Sequence, residues 1–144
     1  MKHLGTRTVL AVSGAILVAI GSSIMAAPIF FLALSEVIVE HDAGLMSEVT
    51  APSGMLIIAG AFMILSAIKF RFANLGLVAG AIVYGSYGFS RLFSTYLHGT
   101  PSESLVVVMY FELAVAILLL ALNLKTLSIE PSKRLVGFNQ EVSQ

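Results

Sequence analysis

The sequence predicts an all-α protein: a polytopic integral membrane bundle of four helices with both termini in the cytoplasm. Hydrophobic residues make up 58% of the chain and charged residues only 11%, and the apolar residues are gathered into four long segments. A soluble domain carries about 25% charged residues, so a surface this poor in charge would not keep the protein dissolved. The four segments leave no stretch long enough for a soluble domain, and we expect a single membrane domain over residues 1–144.

Each apolar segment is long enough to cross a bilayer as a helix. A hydrocarbon core of about 30 Å needs about 20 apolar residues at 1.5 Å per residue. The first segment follows a basic start and is similar to a signal peptide, but its apolar run continues past Pro28 to Leu34, so we interpret it as an uncleaved span that Pro28 bends. The predicted spans are residues 9–34, 49–68, 72–97 and 104–124, and residues 125–144 form a cytoplasmic tail.

The charges outside the spans predict the orientation. Short loops rich in Lys and Arg remain in the cytoplasm. Basic residues precede the first span, lie in the turn between the second and third spans and follow the fourth, whereas the other two connections hold acidic residues and no Lys or Arg. We therefore expect a bacterial inner membrane protein with both termini inside and both acidic connections outside. The basic residues are Lys2, Arg7, Lys69, Arg71, Lys125, Lys133 and Arg134, and the acidic ones are Glu36, Glu40, Asp42, Glu48 and Glu103.

The sequence lacks the patterns of common catalytic and cofactor sites. It has no cysteine, which excludes disulfides, thiolate metal sites and thiol catalysis. We interpret Glu40-His41-Asp42 as a solvated acidic loop, because three consecutive residues of a regular helix or strand cannot all face one ion. Phosphate-binding glycine loops, nucleophile elbows and basic grooves for nucleic acid are also absent from the sequence. We expect no cofactor, no metal and no nucleic-acid partner.

Two charges lie inside the spans and form the strongest candidate site. Arg91 is the only charged residue of the third span and Glu112 the only one of the fourth. Their distances from the span ends place both ~9–12 Å below the outer boundary. A lone charge in a bilayer costs ~2.5–3.5 kcal/mol, and opposite charges at one depth relieve each other. We therefore predict an Arg91–Glu112 ion pair in the outer half, with Glu48 as a second carboxylate for the forked guanidinium.

One face of the third span carries polar residues towards its outer end and small residues towards its inner end. At 100° per residue, one narrow sector carries glycines, then hydroxyls, a cation and an imidazole. The glycines predict a close approach to the second span. The face consists of Gly76, Gly80, Tyr84, Tyr87, Arg91, Ser94 and His98, and the candidate ligand-binding residues are Arg91, Glu112, Glu48, Tyr84, Tyr87 and His98.

Several of these residues stand in a pattern that resembles a known family. The pattern comprises Glu48, Gly54, Gly88, Arg91, the turn His98-Gly99-Thr100-Pro101, Tyr110 and Glu112. Over about residues 45–125 the chain resembles the small bacterial four-helix membrane family known as domain of unknown function 4345, which is broadly similar to DoxX-like proteins. The resemblance implies a four-helix bundle with an outward-side cluster of Glu48, Arg91 and Glu112, and it implies no particular activity.

Three classes of function remain open. An accessory or assembly protein ranks first, with the ion pair as a structural lock and a membrane protein or a second copy of the chain as partner. A binder or carrier of a small lipophilic or anionic ligand ranks second, with a pocket between the outer halves of spans two, three and four. A membrane-embedded enzyme with Glu112 as acid or base ranks third, because one acid beside a permanent cation is a poor proton shuttle.

Overall fold

The computed structural model describes residues 3–39 and 42–142, and side chains as far as residue 127. Within that part the chain is helical and has no strand. Four of its helices are long and apolar enough to cross a membrane, which confirms the predicted all-α class with four candidate spans. The helices are α1 (Leu4–Ala26), α2 (Pro28–Ala33), α3 (Ala43–Ile68), α4 (Ala73–His98) and α5 (Glu103–Val142), with a 3-10 turn at Phe70–Phe72 between α3 and α4.

The first predicted span is two helices rather than one bent helix. α1 ends at Ala26, and Ala27 has φ −147° and ψ 67°, outside the helical region. Proline disfavours a helical conformation in the residue before it and is well suited to the first position of a helix. Pro28 therefore begins α2 as a separate short helix. The hydroxyl of Ser23 donates a hydrogen bond to the carbonyl of Ala19 (2.8 Å) in the last turns of α1.

Two other boundaries differ from the predicted ones. α3 begins six residues before the predicted span, at Ala43, because the carboxylate of Asp42 accepts a hydrogen bond from the backbone N–H of Leu45 (2.9 Å) and caps the helix. α5 continues through the predicted tail to Val142. Lys2, Glu40 and His41 lie outside the described residues, and the side chains of Lys133 and Arg134 lie outside the described side chains.

Contacts between elements place the connections at two ends of the bundle. At the basic end, which carries Lys69 and Arg71, the guanidinium of Arg7 lies 5.2 Å from the ring centre of Phe70. At the acidic end, which carries the connections 34–42 and 99–102, the hydroxyl of Ser102 donates to the carbonyl of Ser35 (2.9 Å). The four long helices thus alternate in direction, as their short connections require.

The helices pack as two pairs. α1 packs mainly along α3, and α4 mainly along α5; the pairs join through α3 and α4, whereas α1 and α5 touch at few points. A Cβ at Gly76 or Gly80 would lie 2.5 Å from Ser66 Cβ or Met63 Cε of α3. The predicted close approach of the third span to the second is therefore confirmed. Leu10, Met63, Leu77 and Leu119 are fully buried between the helices.

Candidate functional site

Arg91 and Glu112 lie side by side between α4 and α5. The Nε of Arg91 is 3.1 Å from Oε2 of Glu112, and their side chains are 35% and 13% exposed. The contact uses one of the five N–H donors of the guanidinium. Within the described part of the chain, the two Nη atoms of Arg91 and Oε1 of Glu112 have no hydrogen-bond partner. The pair therefore retains both donors and an acceptor for a further group.

A glycine one turn before Arg91 lets the two helices approach at this level. A Cβ at Gly88 would lie 2.8 Å from Cγ and 3.1 Å from the backbone N of Leu113. Any larger residue would push α5 away from α4, and Glu112 with it. Gly88 is thus a positioning residue for the pair, a role that sequence reasoning did not assign to it.

Beside the pair lies a cavity of about 130 Å³ with mostly apolar walls. An apolar cavity of about 150 Å³ is large enough for a molecule such as benzene. The expected pocket lay between spans two, three and four, but here α1 replaces α3, which contributes Leu56 alone. The difference arises because α1 reaches across α3 to α4. The walls are Leu17, Ile20, Ile24, Phe31, Ser35, Leu56, Val83, Tyr84, Tyr87, Arg91, Leu105, Val108, Phe111 and Glu112.

The two tyrosines of the predicted face have different environments. Tyr84 is buried and its hydroxyl donates a hydrogen bond to the carbonyl of Ser13 in α1 (2.8 Å). Its ring meets that of Phe111 edge-on, with centroids 6.3 Å apart. Tyr87 lies one turn further, is half-buried and lines the cavity. Its hydroxyl has no hydrogen-bond partner among the described residues. Tyr84 therefore joins α4 to α1, while Tyr87 leaves a polar group available at the cavity.

The structure does not bring Glu48 and His98 to this cluster. Glu48 is exposed near the start of α3, ~140° around the helix from the buried Ser53 at 100° per residue, and among the described residues it makes no ion pair with Arg91. His98 is the exposed last residue of α4 and does not line the cavity. The second carboxylate expected for Arg91 is thus absent from the described surroundings of its guanidinium.

Arg91 also borders a second, more polar recess of about 120 Å³ towards the acidic end. Its other walls are Ser94, Thr95, Gly99, Pro101, Leu105 and Met109. Ser94 belongs to the predicted polar face and is exposed. The hydroxyl of Thr95 donates to the carbonyl of Arg91 (2.9 Å). Arg91 therefore lies in the wall between the mostly apolar cavity and this more polar recess.

Sequence reasoning missed the contributions of α1, α2 and the part of α5 nearest the acidic end. Phe31, Val108 and Phe111 carry no charge and no motif, and only their position around Arg91 makes them part of the site. The polar stripe on α4 could reveal which face of that helix looks inward. It could not reveal which helix lies opposite.

One known protein family matches nearly all of the helical bundle that contains the site. The family described as Domain of unknown function (DUF4345) matches residues 5–123. The chain belongs to this family. The match begins well before the expected range of about 45–125 and covers α2 and nearly all of α1, so every wall of the cavity lies within the DUF4345 region. No curated protein and no solved structure matches the chain. Among the described residues, no group of three or more His, Cys, Asp or Glu could hold a metal ion.

Proposed function

We propose that this DUF4345 protein binds a single-chain amphiphile, with the polar head at Arg91, Glu112 and Tyr87 and the chain against the apolar walls. One observation carries the proposal: hydrogen-bonding groups without a described partner border a mostly apolar cavity. These groups are half-buried beside mostly apolar walls, and a bound head group would supply the partners that they lack. Apolar walls with a few convergent polar groups are typical of ligand sites.

The charges favour an uncharged head group. Arg91 and Glu112 together carry no net charge, and an anionic head would add an unpaired negative charge to a poorly solvated site. The Nη atoms of Arg91 offer donors, while Oε1 of Glu112 offers an acceptor. A head with hydroxyls can accept from the first and donate to the second, as in a monoacylglycerol or a long-chain alcohol.

We rank ligand binding above an accessory role because of the cavity. An ion pair that only fixed helix packing would need no space beside it, since interiors pack to about the density of organic crystals. An accessory protein that assembles with another membrane protein or a second copy is the alternative, and the experiment with the two tyrosines separates it from a binder. Catalysis has less support, because the described partner of Glu112 is a permanent cation.

The two tyrosines provide a matched test of binding. Tyr87→Phe should leave the melting temperature unchanged and strongly reduce photolabelling by a monoacylglycerol that carries a diazirine in its acyl chain. Tyr84→Phe should lower the free energy of unfolding by about 1 kcal/mol, because it removes the bond to Ser13, and should preserve labelling. Labelling sites are located by mass spectrometry of purified protein.

The same experiment can overturn the proposal. Absence of labelling in the wild-type protein, with no lipid co-purifying, would favour the accessory role. A fatty acid probe of the same chain length tests the charge argument. If the anion labels the cavity more strongly than the monoacylglycerol, the head group is anionic and the neutral pair is not what selects it.

We also propose that the acidic end faces outwards in a bacterial inner membrane, which would place the site in the outer leaflet. The distribution of Lys and Arg supports this orientation. In the cysteine-free chain, Glu103→Cys should react in intact cells with a membrane-impermeant maleimide, and Lys69→Cys should react only after lysis. Both positions are exposed, so they are matched. Labelling of Lys69→Cys in intact cells with protection of Glu103→Cys would reverse the orientation.

A further inference from the structure

The most exposed apolar walls of the cavity belong to α5. Val108 and Phe111 line it, yet they are 36% and 44% exposed. These two residues of α5 therefore form a threshold between the cavity and the outer surface of the bundle. Of the three long helices that contribute most of the walls, α1 and α5 touch each other at the fewest points.

Apart from Arg91, whose side chain is 35% exposed, the other wall residues are buried or half-buried. Leu17, Leu56 and Tyr84 are at most 4% exposed and close it towards α3 and the basic end. Towards the acidic end, Phe31 and Ser35 lie over it. The hydrogen bond from Ser102 to the carbonyl of Ser35 ties this cover to the turn between α4 and α5.

The cavity is too small to hold the whole ligand, so part of the ligand has to lie outside it. At about 130 Å³ it accommodates a group near the size of benzene, which is much smaller than a complete long-chain lipid. With the head at Arg91, the remaining chain has to pass over Val108 and Phe111. Both side chains are apolar, so a chain lying there would touch hydrocarbon on either side of the threshold.

We propose that the ligand enters sideways from the bilayer through the cleft between α1 and α5, and that the site therefore selects molecules already dissolved in the membrane. This inference rests on the proposed function and adds its route and its source: a membrane lipid rather than a solute from the aqueous phase. Val108 and Phe111 determine the rate at which the chain passes. Arg91, Glu112 and Tyr87 determine whether the head stays.

Neighbouring valines on α5 allow a matched test. Val108→Trp fills the cleft, whereas Val107→Trp adds the same side chain at a position that is 67% exposed and does not line the cavity. Protein in nanodiscs is mixed with the diazirine monoacylglycerol and photolysed at increasing times; release is followed from preloaded protein. We expect Val108→Trp to slow both loading and release by about tenfold, the effect of a barrier raised by ~1.4 kcal/mol. Val107→Trp should match the wild type.

Entry of the ligand from the acidic end is tested by cross-linking the cover of the cavity at that end. Glu36→Cys and Ser102→Cys, joined by a short bifunctional thiol reagent, fix the cover over the cavity; no native cysteine interferes. Neither residue lines the cavity, and loading should be unchanged. Phe111→Ala widens the threshold and should speed loading, which keeps the test valid if Val108→Trp does not fold.

Each contrary result has a distinct meaning. Slow loading of the cross-linked protein with normal loading of Val108→Trp would show entry from the acidic end, and binding itself would stand. Less bound probe in Val108→Trp with an unchanged release rate would mean that Trp fills the site rather than the route, and would overturn the inference. Absence of labelling in the wild type would overturn the proposed function as well.

Discussion

Arg91→Ala should lower the free energy of unfolding by about 3 kcal/mol, the lower end of the usual cost of leaving one member of a buried ion pair without its partner, because the pair is half-buried. Glu112 has 13% of its side chain exposed, so its carboxylate would remain in a poorly solvated place without a cation. We expect a large fall in melting temperature and in folded yield, measured in detergent by size-exclusion chromatography after heating. Arg71 at the basic end is exposed and provides the control. Arg71→Ala removes the same type of residue and should lower the free energy of unfolding by less than about 1 kcal/mol.

The converse substitution should cost less. In Glu112→Ala the guanidinium of Arg91 stays behind, but it is 35% exposed and borders the polar recess towards the acidic end. A long cationic side chain can turn its head towards such a region. The double variant Arg91→Ala/Glu112→Ala leaves no unpaired charge and should recover much of the loss. If the two single losses simply add in the double variant, the ion pair makes no energetic contribution as a pair.

Gly60→Ala should separate α1 from α3 and lower the free energy of unfolding by about 3 kcal/mol, the upper part of the usual range for an overpacked core. A Cβ at Gly60 would lie 2.5 Å from the carbonyl oxygen of Gly14 and 2.9 Å from the backbone N of Val18. These are backbone atoms of a regular helix, which cannot turn aside as a flexible side chain can. The whole of α1 would have to move.

Gly54→Ala is the control on the same helix. A Cβ there meets nothing within 4 Å. The free energy of unfolding should therefore stay the same or rise by about 0.5–1 kcal/mol, because alanine loses less backbone entropy than glycine on folding. Thermal melts of the two purified variants decide the matter. Equal melting temperatures for Gly60→Ala and Gly54→Ala would contradict the close backbone approach of α1 and α3.

Local sequence was enough to predict most of the fold. A run of about 20 apolar residues predicts a membrane helix because the bilayer leaves the backbone no other way to satisfy its hydrogen bonds. Boundaries were less accurate where a single residue controls the chain. Pro28 begins a new helix instead of bending α1, and the side chain of Asp42 extends α3 by capping it. Both effects depend on backbone geometry at one position, which hydrophobic patterns do not report.

The candidate site divides in the same way. Arg91 and Glu112 stand out in the sequence because any charge in an apolar span is costly. The face of α4 that carries Tyr84 and Tyr87 follows from helical periodicity. The separate environments of the two hydroxyls do not, since they depend on whether a carbonyl of α1, that of Ser13, lies within reach.

The sequence by itself determined the helical membrane fold, the two charged residues in the spans and the inward face of α4, because each follows from length, polarity or spacing along one segment. Only the tertiary structure decided that α1 faces the ion pair, that Glu48 and His98 stay away from it, and that a cavity lies between α1, α4 and α5. Which helices become neighbours depends on how closely their backbones approach. Here Gly14, Gly60 and Gly88 allow tight contact between α1 and α3 and between α4 and α5, and no comparable contact joins α1 to α5 among the described residues.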